Sequence, residues 1–128
     1  MWLILQQDQP EDFVISTGVT TPVRDFIRMA FREVGVELNF EGEGVDERGI
    51  VASSSNPEYA FKIGQVVVKI DPAYFRPTEV DLLIGDNTKA KTKLGWTPKY
   101  TLDMLVKEMM EADLAIFQKE KYLKNYNQ

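Results

Sequence analysis

The stretch Phe75-Arg76-Pro77-Thr78-Glu79-Val80 holds the residues best suited to recognising a charged ligand. Arg76 stands directly before Pro77, and a proline ring biases the residue ahead of it to extended backbone. A guanidinium on so restricted a backbone suits two-pronged recognition of a phosphate or a carboxylate. Glu79, three residues on, could accept hydrogen bonds from a ribose diol. The same spacing also allows an internal Arg76–Glu79 ion pair, which by spacing alone is the commoner outcome. Arg24 offers another guanidinium near the start of a helix, where a cation is mildly unfavourable to the dipole. It either serves a ligand or partner or belongs to a solvated face, the second being commoner.

Catalytic chemistry is limited by what the chain lacks. It has no His and no Cys, which excludes the serine–histidine triad, thiolate nucleophiles, disulfides and nearly every zinc site. A Tyr-x-x-x-Lys pair could move a proton. None exists: Tyr59 has Lys62 at the wrong offset, and Lys121 and Lys124 flank Tyr122 wrongly. No G-x-G-x-x-G opens a helix, and there is no P-loop, so no dinucleotide or triphosphate cradle is present. Gly42-Glu43-Gly44 is glycine-rich, but Glu41, Glu43, Asp46 and Glu47 surround it and would repel a phosphate. These acids do not follow cation-loop spacing and read as solvated. No catalytic, cofactor-binding or metal-binding residue is therefore expected in this sequence.

These residues need elements to position them. Thr20-Thr21-Pro22 reads as a helix start, with a Thr cap and Pro at the first helical position. Val23, Phe26, Ile27, Ala30, Phe31 and Val34 then form one apolar stripe, ended by Gly35. Phe13-Val14-Ile15 reads as a buried strand, 36–40 as a second, and Ile50-Val51-Ala52 with 66–70 as a small hairpin. Asp86-Asn87 can cap a short helix that ends at Gly95, and Trp96 reads as the anchor sealing it. Thr101 caps a last helix whose apolar positions are Leu102, Leu105, Val106, Met109, Ala112, Ile116 and Phe117. Met104, Met109 and Met110 read as its core or rim, and the polar tail from Lys119 as fraying. Trp2-Leu3-Ile4-Leu5 reads as the end of a buried helix, broken before Pro10. The fold class is α/β with an α+β-like character: about three main helices with short strands.

At 128 residues and 44% hydrophobic, the chain has the length and apolar content of a single folded domain, spanning 1–128. Its 20 acidic residues against 15 basic ones give a net charge of −5, which disfavours nucleic-acid binding. No apolar run spans a bilayer, and the apolar start is too short and lacks a basic leader for a signal peptide. A cytoplasmic protein is the expectation.

Several segments together resemble the GDP-mannose 4,6-dehydratase family. They are 1–7, 10–18 and Val23-Arg24-Asp25-Phe26. The match is closest in Asp71-Pro72-Ala73-Tyr74-Phe75-Arg76-Pro77-Thr78-Glu79-Val80-Asp81, then Gly85-Asp86, Thr88-Lys89-Ala90 and Lys93-Leu94-Gly95-Trp96-Thr97-Pro98. The resemblance runs from residue 1 to about residue 117. It implies an extended short-chain dehydrogenase/reductase, a lyase with an N-terminal NADP-binding Rossmann domain and a C-terminal part that holds the sugar nucleotide. The family oxidises C4 of GDP-mannose by hydride transfer to NADP⁺, eliminates water across C5–C6, and returns the hydride to C6, giving GDP-4-keto-6-deoxymannose. Its Thr, Glu and Tyr-x-x-x-Lys catalytic residues have no counterpart here. The chain therefore resembles the C-terminal part alone, with the Rossmann half absent and no NADP bound by these residues.

By this resemblance Arg76 matches the family Arg on the diphosphate, and Glu79 the family Glu on the ribose. The order of the two readings of this pair is thereby reversed in favour of a ligand clamp. Asn39 and Phe40 would lie near the base pocket, by analogy with related epimerases. Arg24 falls where the family does not always have Arg and is left out of the site. As a free chain it is expected to be inactive. A non-catalytic nucleotide-sugar-binding or interaction module, or part of a related epimerase or reductase, are the other readings. Exposed Trp2, Leu3 and Leu5 would favour a homo-oligomer.

Overall fold

The computed structural model describes residues 1–59, 61–78 and 83–126. They form two compact units: Met1–Thr21 with Val80–Thr101, and Pro22–Glu79 with Leu102–Gln128.

The larger unit is built on a three-stranded antiparallel sheet in the order β1-β2-β3, with β1 Val36–Glu41, β2 Arg48–Ser54 and β3 Val66–Lys69. In β1, Val36 and Leu38 are buried while Glu37 and Asn39 face out, the period-two alternation of a half-buried strand. Leu38 pairs with Val51, Asn39 with Ile50 and Phe40 with Gly49. Gly49 is required by packing: a Cβ there would lie 2.9 Å from Val68 Cβ and 3.3 Å from Phe40 Cε1. The expected hairpin between 50–52 and 66–70 is present as the β2–β3 pairing, and β2 is longer than anticipated.

Helix α2, Val23–Glu33, lies on this sheet. Its stripe supplies Ile27 and Phe31 to a core of Val34, Val36, Leu38 and Val51. Val36 is fully buried, and each such side chain contributes roughly 1.5–3 kcal/mol relative to exposure. The helix ends as expected, with Gly35 at φ 75° and its N–H donating to the Arg32 carbonyl at 2.9 Å. Its start differs by one position. Pro22 is the cap residue, not the first helical one, and its carbonyl accepts from the N–H groups of Asp25 and Phe26. No Thr side chain caps it, and the Thr20 hydroxyl donates to the Leu83 carbonyl at 2.7 Å.

Helix α4, Leu102–Tyr126, closes the larger unit. The side chains turned inward are Leu102, Val106, Met110 and Leu114, a strict i, i+4 row. Leu105, Met109, Ile116 and Phe117, expected on the apolar stripe, are exposed. Met110 and Leu114 reach the sheet core in their place. The polar tail from Lys119, expected to fray, continues the helix. The helix runs to Tyr126, with Tyr122 and Tyr126 stacked one turn apart at 6.4 Å.

The smaller unit contains α1, Trp2–Leu5, and α3, Thr88–Leu94. No residue of α1 is buried, which corrects the buried-helix expectation. Phe13–Ile15 is likewise not a strand, and Val14 and Ile15 are about half exposed. Side chains bond this segment where a sheet ladder would. Ser16 Oγ donates to the Gly85 carbonyl at 2.6 Å, and Asn87 Nδ2 to the Ser16 carbonyl at 2.7 Å. Gly85 permits the approach, since a Cβ there would lie 2.7 Å from Ser16 Cβ. Helix α3 starts after Asn87, whose side chain is spent on Ser16, so Asp86 Oδ1 takes the Thr88 N–H at 2.9 Å. Gly95, left-handed at φ 62°, ends it, and Trp96 behind it is half-buried.

Candidate functional site

Arg76 follows a turn that its own sequence dictates. Asp71 opens the turn and Pro72 presets its second position. The Ala73 N–H donates to Asp71 Oδ1 at 2.9 Å, the Tyr74 N–H to the Asp71 carbonyl at 3.0 Å, and the Phe75 N–H to the Pro72 carbonyl at 3.4 Å. The chain leaves this turn through Phe75 and enters the restricted Arg76-Pro77 step. Arg76 is exposed. Glu79, its expected partner on the ribose, lies outside the described residues, as does the Arg76–Glu79 ion pair weighed from spacing.

Phe75 does not stand alone. The ring tip lies on the side of Gly44 where a side chain would be: a Cβ placed on Gly44 would meet Phe75 Cζ at 3.5 Å and Cε2 at 3.9 Å, ordinary contact distances. Gly44 begins a short 3-10 turn, Gly44–Asp46, in the acidic loop between β1 and β2. The loop is tight. Gly42 has φ 85°, and a Cβ there would fall 2.5 Å from the Asp46 carbonyl oxygen.

The end of that loop is tied to α2. Glu47 accepts from Arg24 Nε at 2.6 Å, and Arg24 Nη2 also contacts its carboxylate. Arg24 and Arg28, one helical turn apart, both lie over the Phe40 ring, at 5.7 and 5.0 Å from its centroid. Arg28 is matched by Asp25 at 2.8 Å. Two guanidiniums over one ring would repel each other, and the two carboxylates offset that repulsion. Arg24 is thus held by Glu47, not simply solvated, and Phe40 sits half-buried beneath two cations. Asn39, the other residue expected near a base, is exposed.

The sequence signalled part of this. Arg24 and Arg28 at i, i+4 necessarily share a helix face. Glu47 reaching back to Arg24 is a long-range contact with no local signature.

The arrangement can present a guanidinium on a braced backbone. Among the described residues no three acidic side chains converge as a metal set. A depression of about 110 Å³ between α2 and α4, lined by Met29, Arg32, Glu33, Asp103 and Val106, is too small for a nucleotide sugar, whose pockets run to about 300–1,000 Å³.

Against this geometry, comparison with known proteins gives one consistent result. Residues 1–109 match the family model described as GDP-mannose 4,6 dehydratase. A GDP-mannose 4,6-dehydratase of Vibrio cholerae is 56% identical over 124 residues, covering 96% of this chain and 33% of the relative. A GDP-mannose 4,6 dehydratase 2 of Caenorhabditis elegans is 50% identical, covering 92% of this chain and 28% of the relative. The GDP-mannose 4,6 dehydratase of Homo sapiens is 45% identical, with 91% and 29% covered. The chain spans about a third of the length of the curated relatives it matches.

Proposed function

The chain belongs to the GDP-mannose 4,6-dehydratase family, and from that premise we propose that it is the part of such an enzyme that holds the GDP-sugar. The observation that carries this reading is Arg76, exposed on a backbone fixed by the Asp71–Phe75 turn before it and Pro77 after it. Arg76 meets the diphosphate, where two oxygens suit a guanidinium fork. Glu79 accepts from the ribose hydroxyls.

The reaction proposed for the longer protein is the conversion of GDP-mannose to GDP-4-keto-6-deoxymannose, a lyase reaction dependent on NADP. The residues of this chain do not fit that cofactor. The sequence has no G-x-G-x-x-G, and its glycine-containing loop carries Glu41, Glu43, Asp46 and Glu47. NADP is therefore assigned to residues beyond these, and the chain by itself is expected to give no turnover. A cytoplasmic homo-oligomer completes the proposal.

A non-catalytic nucleotide-sugar module is the second reading, and the absence of Tyr-x-x-x-Lys from this sequence favours it for the chain acting alone. Calorimetric or NMR titration with GDP-mannose tests the shared core of both. Arg76→Ala is expected to weaken binding by about 1.5–3 kcal/mol, the worth of a charge-assisted contact. Arg76→Lys should recover part of it, since Lys keeps the charge and loses the fork. Unchanged affinity in Arg76→Ala would reject the assignment. Turnover by the purified chain with NADP⁺ would reject its inactivity.

A further inference from the structure

We infer that the outward face of α4 pairs with the same face of a second copy of this chain, the two helices running antiparallel. This deepens the homo-oligomer reading and rests on it, but uses a different surface from Trp2, Leu3 and Leu5.

Helix α4 carries two apolar rows. The inward one, Leu102, Val106, Met110 and Leu114, steps by four and meets polar Gln118 at its next position. The outward one is Leu105, Met109, Ala112, Ile116, Lys119, Leu123 and Tyr126, stepping by four and three in strict alternation. That is the 3.5-residue repeat of a coiled-coil seam, which keeps one face turned to another long helix. All seven residues are exposed, and Leu105, Met109, Ile116 and Leu123 stand 44–54% open. Every residue from 115 to 126 is exposed, so the last part of α4 has no covered side. A helical stretch that short is marginal in water unless an apolar face packs.

The seam calls for a partner helix of similar length. Among the described residues the next longest helix is α2, with 11 residues and its apolar stripe already on the sheet. A matching seam is present on α4 of a second copy, and a two-fold pair is the commonest assembly of identical chains. Lys119, the one charged residue of the seam, sets the direction. With the two-fold axis level with Leu114, an antiparallel pair places Leu105 against Leu123, Met109 against Lys119, and small Ala112 against branched Ile116. Glu108, beside Met109, then offers Lys119 the opposite charge. A parallel pair would set two Lys119 ammoniums face to face. Ala112 and Lys119 in the seam, with Asp113 meeting its own copy at the rim, keep the pairing weak. It forms at high concentration, and the dilute chain unfolds as a single copy.

The test is sedimentation equilibrium of the full chain carrying Trp2→Ser and Leu5→Ser, which removes the other exposed apolar patch. Ile116→Glu should raise the dimer dissociation constant roughly 10-fold or more, since each dimer would bury two carboxylates. Lys119→Leu should lower it, because a polar seam residue costs stability. Circular dichroism checks that each variant folds, and Leu123→Glu replaces Ile116→Glu should that one unfold. Direction is read by cross-linking, since the chain has no Cys. A mixture of Leu105→Cys and Leu123→Cys chains should form the mixed disulfide pair. Neither variant should link to itself, because in an antiparallel pair each position lies about 27 Å from its own copy, far beyond disulfide reach. An unchanged dissociation constant in Ile116→Glu, self-linking of each Cys variant, or a chain that stays single at every concentration would each overturn the proposal. The last is the result expected if residues of the longer protein cover this face instead. The two readings fail separately: self-association of the unaltered chain that survives Ile116→Glu would keep the homo-oligomer and reject this seam.

Discussion

Single residues in this chain act through their backbone setting as much as through their charge. Arg76 was legible in the sequence because its restriction is local: a proline follows, and Asp71-Pro72 precedes. Arg24 was not, because its partner Glu47 is separated from it by a strand and a loop. The same contrast holds for Glu11. Its carboxyl is held down at about 2, from an ordinary 4.5, first by the Lys89 hydrogen bond and then by that of Lys93. Lys89 also donates to the Asp12 carbonyl at 2.9 Å and lies 5.0 Å from the centre of the Phe13 ring. A lowered carboxylate stabilises the folded state fully above its ordinary value, and that contribution fades as pH falls from 4.5 toward 2. The Glu11 side-chain carbonyl shift, followed by NMR, should therefore titrate at about 2. In Lys89→Met it should titrate closer to the ordinary carboxylate value. An ordinary value in the unaltered chain would show that the ammonium pair does not hold Glu11 in solution.

At the scale of elements, periodicity located α2, β1 and α4, because each carries a repeating apolar pattern that any partner surface would select, and β-branched composition located β3. It failed where long-range polar contacts replaced the pattern. Phe13-Val14-Ile15 has strand composition but no ladder partner, and Ser16 and Asn87 hold the segment. In α4 two apolar rows lie side by side, and the sequence alone could not show that 102, 106, 110 and 114 face inward while Leu105, Met109 and Ile116 do not. Two stability predictions belong here. Leu38→Ala should destabilise by about 2–5 kcal/mol, since Leu38 is buried between helix and sheet. Ile116→Ala, of the same apolar kind but exposed, should change stability by less than about 0.5 kcal/mol. Urea unfolding of both variants compares them directly, and equal losses would mean that α4 packs with its other row.

For the molecule as a whole, the distribution of apolar surface matters most. Trp2 is 70% exposed, Leu5 is similarly open, and Leu105, Met109, Ile116 and Leu123 add an exposed row on α4. Apolar surface of this kind favours association. Sedimentation of the chain should show concentration-dependent self-association, reduced in Trp2→Ser with Leu5→Ser. A monomer at all concentrations would remove that expectation. Among the described residues no helix is long and apolar enough to cross a membrane.

The central claim is that Arg76 meets the diphosphate of a GDP-sugar. Its most direct test is the difference in affinity between GDP and guanosine, measured by titration of the unaltered chain and of Arg76→Ala. GDP should bind the unaltered chain more tightly, and most of that advantage should vanish in the variant, because the lost contact is one that guanosine never makes. An advantage for GDP that survives intact in Arg76→Ala would place the diphosphate elsewhere and contradict the claim.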